Sequence, residues 1–301
     1  MGRVIVVGSI NQDVTVQVDR LPRPGETLSG RSVTYRLGGK GANQAAAAAH
    51  GGAETLFVGA VGGDASGPTL RDELSSHGVD VSRLRDADTT TGTAFITVSA
   101  DGENTIVLDA GANGVVGEDA LDAVEDLGEG DVLVLQGEVP PVANAAAAAT
   151  AKAAGARVVL NLAPVYDVAD EVLARVDVLV VNETEAGLTA GAPAPAGPDE
   201  ALELAATLIG RGPAAVLITL GRLGSVWADG DGSGAVPAID LGPVVDTTGA
   251  GDASVGVLAA ALAAGYPLGK AVEAGMRAGS TAVLAAGAAS SYRAIEAVPA
   301  R

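Results

Sequence analysis

The segment Asp246–Asp252, which reads Asp-Thr-Thr-Gly-Ala-Gly-Asp, carries the strongest chemical signal in the chain. Val244 and Val245 before it predict the end of a strand, and an apolar helical pattern opens at Ala253. A glycine-rich turn offers free backbone N–H groups, and the positive end of a helix dipole favours an anion there. The carboxylate of Asp252 could accept the proton of an incoming hydroxyl, so the segment favours phosphoryl transfer to an alcohol. A plain helix-capping aspartate is the alternative.

A second glycine-rich segment, Gly38–Gln44, reads Gly-Gly-Lys-Gly-Ala-Asn-Gln. Its glycines allow a ligand to approach the backbone closely, and Lys40 and Asn43 could donate hydrogen bonds to hydroxyl groups. The spacing of these residues differs from that of a P-loop, so the segment does not predict a phosphate cradle of that type. A glycine-rich helix start with a solvated lysine explains the same residues equally well.

Polar side chains also follow other apolar runs. Asn11 and Asp13 are two positions apart, so in an extended chain they point to the same side and could bind sugar hydroxyls; turn formation is the alternative. Asn182 and Glu185 could meet phosphate and Mg²⁺, which prefers oxygen ligands, and a helix-capping pair is the competing interpretation. Glu138 is explained equally by a ligand contact and by a helix start.

The composition excludes several classes of function. The chain has no cysteine, which excludes disulfides, zinc–thiolate sites and a cysteine nucleophile. Its two histidines, His50 and His77, lie far from any nucleophile-elbow pattern, which argues against a Ser-His-Asp hydrolase. A formal charge of −19 argues against nucleic-acid binding, and no apolar run reaches the roughly 20 residues of a membrane span. Because no signal-peptide pattern precedes the first strand, we expect a cytoplasmic protein without membrane or nucleic-acid partners.

Short apolar strands alternate with helices along most of the chain, which predicts an α/β fold with a doubly wound, mostly parallel sheet flanked by helices. The predicted strands are Val4–Val7, Asp131–Gln136, Arg157–Leu162, Asp177–Val181 and Ala215–Thr219. The predicted helices are Gly41–Ala49, Val142–Ala154, Glu171–Val176, Ala201–Gly210 and the one that opens at Ala253. Because ligands bind beyond the carboxyl ends of the strands in such a sheet, we expect the polar residues named above to converge there.

Four other segments alternate apolar and polar residues, which is typical of strands with one solvated face. They are Val14–Val18, Ser32–Arg36, Thr93–Ser99 and Asn104–Leu108. The turn Ala100–Glu103 between the last two predicts a hairpin. We therefore interpret residues 1–301 as a single domain that carries a small, discontinuous sheet formed by residues 12–37 and 92–109.

The ordered set of motifs resembles the ribokinase family of sugar kinases, also called the pfkB carbohydrate kinases, from about Val4 to Ser291. Asp246–Asp252 is similar to the C-terminal signature of that family, and Gly38–Gln44 is similar to its N-terminal signature. The N-terminal motif is closer to ribokinases than to fructokinases or adenosine kinases. The same holds for Gly8–Asn11, Asp109–Asn113 and Leu160–Pro164.

The resemblance implies ATP-dependent phosphorylation of D-ribose at its 5-hydroxyl, with Asp252 as the base. The implied anion hole is formed by the amides of Gly249, Ala250, Gly251 and Asp252. The implied sugar contacts are Asn11, Asp13, Gly39, Lys40, Asn43, Glu138 and Asp252. The implied ATP contacts are Asn182, Thr219, Leu220, Gly221, Arg222, Leu223, Gly224, Gly251 and Met276. Glu185 is implied to help bind Mg²⁺ through water. The implied site for K⁺ or another monovalent cation comprises Asp246, Thr248, Ala282, Ala285, Gly287 and Ser291.

The resemblance further implies that the small sheet is a lid over the sugar and joins two chains into a homodimer. The chain departs from the family pattern at Ala253-Ser254, at Met276 and around Ser291. Two alternatives stay open: another kinase of the family, acting on fructose, a deoxy sugar acid or a nucleoside, and a sugar-binding regulator without catalysis. The polar set around Asn11 and Glu138 favours a small polyhydroxyl, and an aromatic content of 2% offers little for stacking a nucleobase.

Overall fold

The computed structural model describes residues 2–117, 124 and 126–299. Nine strands of this part of the chain form one sheet in the order β13-β12-β11-β10-β9-β8-β1-β4-β5. They are β1 (Val4–Val7), β4 (Thr55–Gly62), β5 (Asp80–Ala87), β8 (Val132–Gln136), β9 (Arg157–Asn161), β10 (Val178–Asn182), β11 (Ala215–Thr219), β12 (Ser225–Asp229) and β13 (Ser233–Val236). Neighbours from β11 to β5 run parallel, and β12 and β13 are antiparallel additions at one edge. The predicted mostly parallel sheet is confirmed.

Helices cover both faces of this sheet. They are α1 (Lys40–His50), α2 (Ser66–Ser76), α3 (Pro141–Ala153), α4 (Asp170–Leu173), α5 (Glu183–Ala190), α6 (Pro198–Ile209), α7 (Ala250–Ala263) and α8 (Leu268–Ala282). Side chains alternate across a strand, so Val4 and Val6 pack with α1, α7 and α8. Ile5 and Val7 pack with α3, α5 and α6 on the other face. Since α7 is apolar nearly all round, it is buried from Asp252 to Ala263.

Two predictions at the start of α7 are wrong. Val244 and Val245 form no strand: both are exposed, and the chain there is irregular. The helix begins at Ala250 rather than at Ala253, with Gly249 as its N-cap residue. Asp252 therefore lies inside the first turn of α7 and does not cap it, which removes the capping alternative for this aspartate.

The small sheet is separate from the main sheet, as predicted. It comprises β2 (Asn11–Gln17), β3 (Ser32–Gly38), β6 (Gly92–Val98) and β7 (Asn104–Asp109), in the order β3-β2-β6-β7. Val14 pairs with Tyr35 and Phe95, and Phe95 pairs with Val107, so these side chains share one face. Asn11 and Asp13 lie on the opposite face, at the end of β2 that leaves β1.

The interpretation of residues 1–301 as one domain includes residues 1, 118–123, 125 and 300–301, which lie outside the described residues. Among the helices that are described, none combines the length and the apolar content that a bilayer crossing demands.

Candidate active site

The carboxylate of Asp252 is held by two consecutive side chains of α1. Its Oδ2 accepts a hydrogen bond of 3.0 Å from Nδ2 of Asn43, and its Oδ1 accepts one of 2.9 Å from Nε2 of Gln44. The two helices approach closely because Gly256, one turn beyond Asp252, has no side chain. A β-carbon at Gly256 would overlap the carbonyl oxygen of Gln44 and lie 2.6 Å from Cβ of Ala47. Asp252 itself is 7% exposed, so its carboxylate lies in a largely dry environment.

Backbone donors surround this carboxylate at the start of α7. The N–H groups of Gly249, Gly251 and Asp252 have no hydrogen-bond acceptor among the described residues, whereas that of Ala250 donates to the carbonyl of Thr247 at 3.3 Å. Unpaired N–H groups at a helix N-terminus form a ready anion site. The structure therefore places a buried carboxylate and several unpaired N–H groups in the same helix turn.

A buried tyrosine supports the turn that precedes α7. Gly249 has a φ of 75°, which glycine adopts without strain. A β-carbon on Gly249 would lie 2.5 Å from Oη of Tyr292 and 2.5 Å from Cβ of Ala288. Tyr292 donates its hydroxyl to the carbonyl of Gly249 at 2.7 Å. Packing and this bond together fix the orientation of the unpaired amides.

Two acidic side chains, Asp13 and Glu138, and the ammonium group of Lys40 interact electrostatically with Asp252 or with each other. Burial, together with the negative charges of Glu138 and Asp252, raises the pKa of Asp13 to about 7. The charge of Asp252 also raises the pKa of the Lys40 ammonium, against the opposing effect of burial. Lys40 therefore compensates a cluster of carboxylates that burial would otherwise penalise.

The start of α1 is tied to the main sheet through Glu138, which follows β8. Its Oε2 accepts a hydrogen bond of 2.6 Å from Oγ of Ser9 and one of 3.0 Å from the backbone N–H of Lys40. Gly39 is the N-cap residue of α1, and a β-carbon there would lie 2.9 Å from the backbone nitrogen of Asn11. The second glycine motif thus lies directly against the start of β2.

The amide of Asn11 has a fixed orientation. Oδ1 of Asn113 accepts a hydrogen bond of 2.9 Å from the backbone N–H of Ile10. The other polar atom of Asn113, Nδ2, is therefore the donor in its hydrogen bond of 2.6 Å to Oδ1 of Asn11. The remaining polar atom of the Asn11 side chain is therefore the donor Nδ2. A donor at Asn11 and a carboxylate at Asp13 suit two neighbouring hydroxyls of a sugar.

Asn182 and Glu185 form a helix-capping pair at the start of α5, which was one of the two interpretations that the sequence left open for them. The backbone N–H of Glu185 donates to Oδ1 of Asn182 at 2.8 Å, and that of Asn182 donates to Oε2 of Glu185 at 2.8 Å. Burial raises the pKa of Glu185, and a hydrogen bond from Asn182 and the charge of Lys40 oppose that rise. Both residues also line the cavity of about 140 Å³ that contains Asp252.

A larger groove of about 570 Å³ joins this cavity, because Thr219 and Gly251 line both. The other predicted nucleotide contacts on its wall are Gly221, Arg222, Gly224 and Met276. Leu220 is buried in the core between β11 and α6, and the exposed Leu223 is not among the groove-lining residues. The side chain of Leu220 therefore packs into the core rather than into the groove.

The predicted cation residues lie on two adjoining segments. Asp246 accepts bonds from the N–H of Thr248 at 2.9 Å, from its Oγ1 at 2.7 Å and from the N–H of Gly287 at 2.8 Å. Burial alone would raise the pKa of Asp246, but these bonds outweigh burial and lower it. Ala282 and Ser291 are buried next to this contact, and the carbonyl oxygen of Ala285 accepts no bond from the described residues.

Comparison with known proteins identifies the family. A sequence profile for the pfkB family carbohydrate kinases matches residues 1–295. The chain belongs to this family. It is 36% identical over 288 residues to a ribokinase of Haemophilus influenzae, covering 95% of this chain and 94% of that one. The structure of an Arabidopsis thaliana ribokinase complexed with ribose and ATP is 32% identical, with a TM-score of 0.89 and 99% and 96% of the two chains covered. A Cryptococcus neoformans ribokinase in complex with ADP is 31% identical, with a TM-score of 0.79 and coverage of 99% and 97%.

Three residues of this pfkB-family site were not assigned a role from the sequence. They are Gln44, Asn113 and Asn161, whose side chains are all buried amides. All three stand in motifs that carried the family resemblance, and Gln44 also directly precedes a run of five alanines. Since an amide inside an otherwise apolar helix must find partners when buried, its position before that run is the signal that could have revealed Gln44.

Proposed function

We propose that this pfkB-family kinase is an ATP-dependent ribokinase, which transfers the γ-phosphoryl group of ATP to the 5-hydroxyl of D-ribose. One observation carries the proposal: the buried Asp252 carboxylate lies beside unpaired amides of its own helix turn, in a cavity that opens into a groove of nucleotide size. The similarity to ribokinases at 36% identity over nearly the whole chain supports ribose as the acceptor.

In the proposed reaction, Asp252 takes the proton of the C5 hydroxyl as that oxygen attacks the γ-phosphorus. The bond from the γ-phosphorus to the bridging oxygen of ADP breaks, and ADP leaves with the electron pair. The amides of Gly249, Gly251 and Asp252 donate to the phosphoryl oxygens, where negative charge accumulates in the transition state. Ala250 contributes less to this hole, because its N–H has an internal acceptor.

The sugar is bound between the small sheet and the start of α1. The proposed contacts are Asn11, Asp13, Gly39, Lys40, Asn43 and Glu138. Oδ1 of Asn43 has no hydrogen-bond partner among the described residues, so it is free to accept from a sugar hydroxyl. Closure of the small sheet over the sugar would exclude water, which competes as an acceptor of the phosphoryl group.

The nucleotide occupies the groove between Thr219–Gly224 and α8, with Met276 against the adenine ring and Asn182 near the phosphates. Mg²⁺ suits this site because it keeps several waters and binds phosphates with one or two carboxylates. The described residues contain no cluster of three or more side chains that could hold a metal ion. Oε2 of Glu185 is engaged with Asn182, so the other oxygen of Glu185 would hold the ion through water. When bound, Mg²⁺ neutralises charge on the phosphates.

A monovalent cation, K⁺ in preference, would bind beside the anion hole. The carbonyl oxygens of Asp246, Thr248, Ala285 and Gly287 accept no hydrogen bond from the described residues, so they fit an oxygen-lined cation site. Ala282 and Ser291 complete the proposed set from the buried side. The cation would brace the loop that leads into the turn before Asp252.

We further propose a homodimer through the small sheet and a cytoplasmic location, where ATP and K⁺ are abundant. One face of that sheet exposes large apolar side chains: Tyr35 is 65% exposed, Phe95 52% and Val107 66%. A contiguous apolar face of this kind is typical of a protein–protein contact. A second copy of this chain, which presents the same face, is the occupant that a symmetric pair requires.

A coupled ADP-release assay tests the function. D-Ribose, 2-deoxyribose, fructose and nucleosides are offered as acceptors with Mg·ATP, in K⁺ and then in Na⁺. We expect D-ribose to give the highest kcat/KM, with K⁺ the better cation. A higher kcat/KM for a nucleoside or for fructose would overturn the ribose assignment and indicate another kinase of the family. Ribose binding without ADP release would indicate a regulator.

A further inference from the structure

Gln44 lies fully buried in α1 and makes an unusual pair of hydrogen bonds. Its Nε2 donates to Oδ1 of Asp252 at 2.9 Å and to Oδ1 of Asn161 at 2.9 Å. Its own Oε1 has no hydrogen-bond partner among the described residues. A buried acceptor without a partner is costly. The orientation of the amide therefore favours the two bonds that Nε2 donates and leaves Oε1 unpaired.

The orientation of this amide is set by the main sheet. Nδ2 of Asn161 donates to the backbone carbonyl of Val180 at 3.1 Å, so Asn161 must present its oxygen to Gln44. Turning the Gln44 amide over would place Oε1 against the oxygens of both Asn161 and Asp252. The Gln44 amide therefore donates to both sides: to Asn161, which in turn donates to the carbonyl of Val180 in β10, and to the carboxylate of Asp252.

Gln44 does not share the cavity with the substrates. Asp252 and Asn161 line the cavity, and Gln44 is not among the lining residues. Asn43, by contrast, combines a bond to Asp252 with a proposed contact to the sugar. Gln44 is thus the one of the two donors whose bond to the base does not depend on whether a sugar is bound.

We propose that Gln44 is a positioning residue, which holds the Asp252 carboxylate in the rotation that proton abstraction requires. The inference rests on the proposed kinase function. A donor to a carboxylate stabilises its charged form, and a misplacement of reacting groups by about 1 Å costs up to about a hundredfold in rate. Removal of the donor should therefore affect the chemical step rather than substrate binding.

The test is Gln44→Met, which keeps the volume of the side chain and removes the amide. We expect kcat to fall at least about tenfold, with KM for ribose and for ATP within about twofold of the wild type. An unchanged kcat, or a fall in kcat that is accompanied by an equal change in KM, would overturn the proposal.

Asn144→Leu is the matched control. Asn144 is also a fully buried amide with an unpaired Oδ1, and its Nδ2 donates to the carbonyl of Gln136 at 2.6 Å and to Oη of Tyr166 at 3.1 Å, on the α3 face of the sheet. We expect this variant to lose stability while keeping the kcat of the wild type. An equal fall in kcat in both variants would mean that any buried amide matters equally, which contradicts a specific role.

A second variant covers the case in which Gln44→Met does not fold. Gln44→Asn keeps an amide but shortens the side chain by one methylene, so its donor no longer reaches Asp252, and the same fall in kcat with the same KM values is expected. The wild type is assayed first on the whole acceptor panel. If another sugar replaces ribose, the ribose assignment fails, and the variants are compared on that sugar. No turnover with any acceptor would refute both the kinase function and the positioning role.

Discussion

The side chains of Asn43 and Asp252 are joined by a hydrogen bond of 3.0 Å from Nδ2 to Oδ2, although 209 positions separate the two residues in the chain. One residue belongs to the glycine motif at the start of α1, and the other belongs to the glycine motif at the start of α7. The bond places a proposed sugar contact directly on the proposed base. In the proposed function, recognition of the acceptor and activation of its hydroxyl would therefore depend on one hydrogen-bonded pair.

Asp252→Asn should lower kcat by about two orders of magnitude or more, because a general base typically contributes about 10²–10⁴-fold. The variant also sets an amide N–H against a donor of Asn43 or Gln44. Turnover is measured by ADP release, and folding is checked by thermal unfolding and ADP binding. Asp72→Asn, an exposed position on α2, makes the same charge change as a control. Turnover close to that of the wild type would refute the assignment of Asp252 as the base.

Asp13 should make the protein less stable as the pH rises. Its folded-state pKa of about 7, raised by burial and by Glu138 and Asp252, exceeds the ordinary value of 3.8. Between these two pH values the folded state therefore keeps a proton that the unfolded chain releases. The contribution of this proton to the free energy of unfolding is complete below about pH 3.8 and is lost as the pH rises through about 7.

The corresponding variant is Asp13→Asn, whose side chain cannot ionise. We expect its free energy of unfolding to exceed that of the wild type at pH 8 by at least about 1 kcal/mol, with a much smaller difference at pH 5. Urea unfolding at the two pH values measures this, again with Asp72→Asn for comparison. An equal pH dependence in the wild type and in Asp13→Asn would contradict the raised pKa.

Asp246→Asn should weaken activation by K⁺. The N–H of Gly287 donates to Oδ2 of Asp246 at 2.8 Å, and an amide there would place two donors against each other. The loop at Gly287 would then move, and the carbonyl oxygens proposed for the cation would move with it. We expect the K⁺ concentration for half-maximal activity to rise at least about tenfold, measured by ADP release in K⁺ titrations at constant ionic strength. An unchanged K⁺ dependence would show that the cation binds elsewhere.

Phe95→Lys should convert a dimer to a monomer, because it buries a charge in the proposed contact between two small sheets. Ile106→Lys is the matched control: it lies on the same sheet and is similarly exposed, but its side chain points to the opposite face. Sedimentation equilibrium of the wild type and both variants distinguishes the outcomes. A monomeric wild type, or dissociation of the Ile106 variant alone, would overturn the proposed dimer face.

The sequence predicted the architecture well where its apolar pattern is unambiguous. Buried parallel strands such as Val4–Val7 and Ala215–Thr219 are continuous apolar runs between turns, and their observed bounds agree with the prediction. Val244 and Val245 have the same pattern over a shorter length. Their apolar character did not report burial, because both lie exposed on irregular chain, where Val244 lines the groove of about 570 Å³.

Parts of the site could not be predicted, because they depend on contacts between distant segments. Gly249-Ala250-Gly251 was expected to precede the helix, since glycine has a low helix propensity. In the structure the hydroxyl of Tyr292 and the packing of α7 against α8 start the helix at Ala250. The roles of Gln44 and Asn161 likewise arise only when β9, α1 and α7 meet. The sequence also left two interpretations of Glu185 open, a helix-capping pair and a ligand contact. In the structure one side chain forms the capping pair with Asn182 and also lines the cavity, which only the folded chain could reveal.

The absence of a side chain at Gly256 has a practical consequence for anyone who modifies this protein. Replacing glycine with alanine inside a helix is a routine way to gain thermostability, commonly by up to about 1 kcal/mol. Here the added methyl group would push α1 away from α7 at the level of Gln44. A substitution intended to stabilise the helix would separate the Asp252 carboxylate from the side-chain amides of Asn43 and Gln44 that orient it. Stabilising designs should therefore leave Gly256 unchanged.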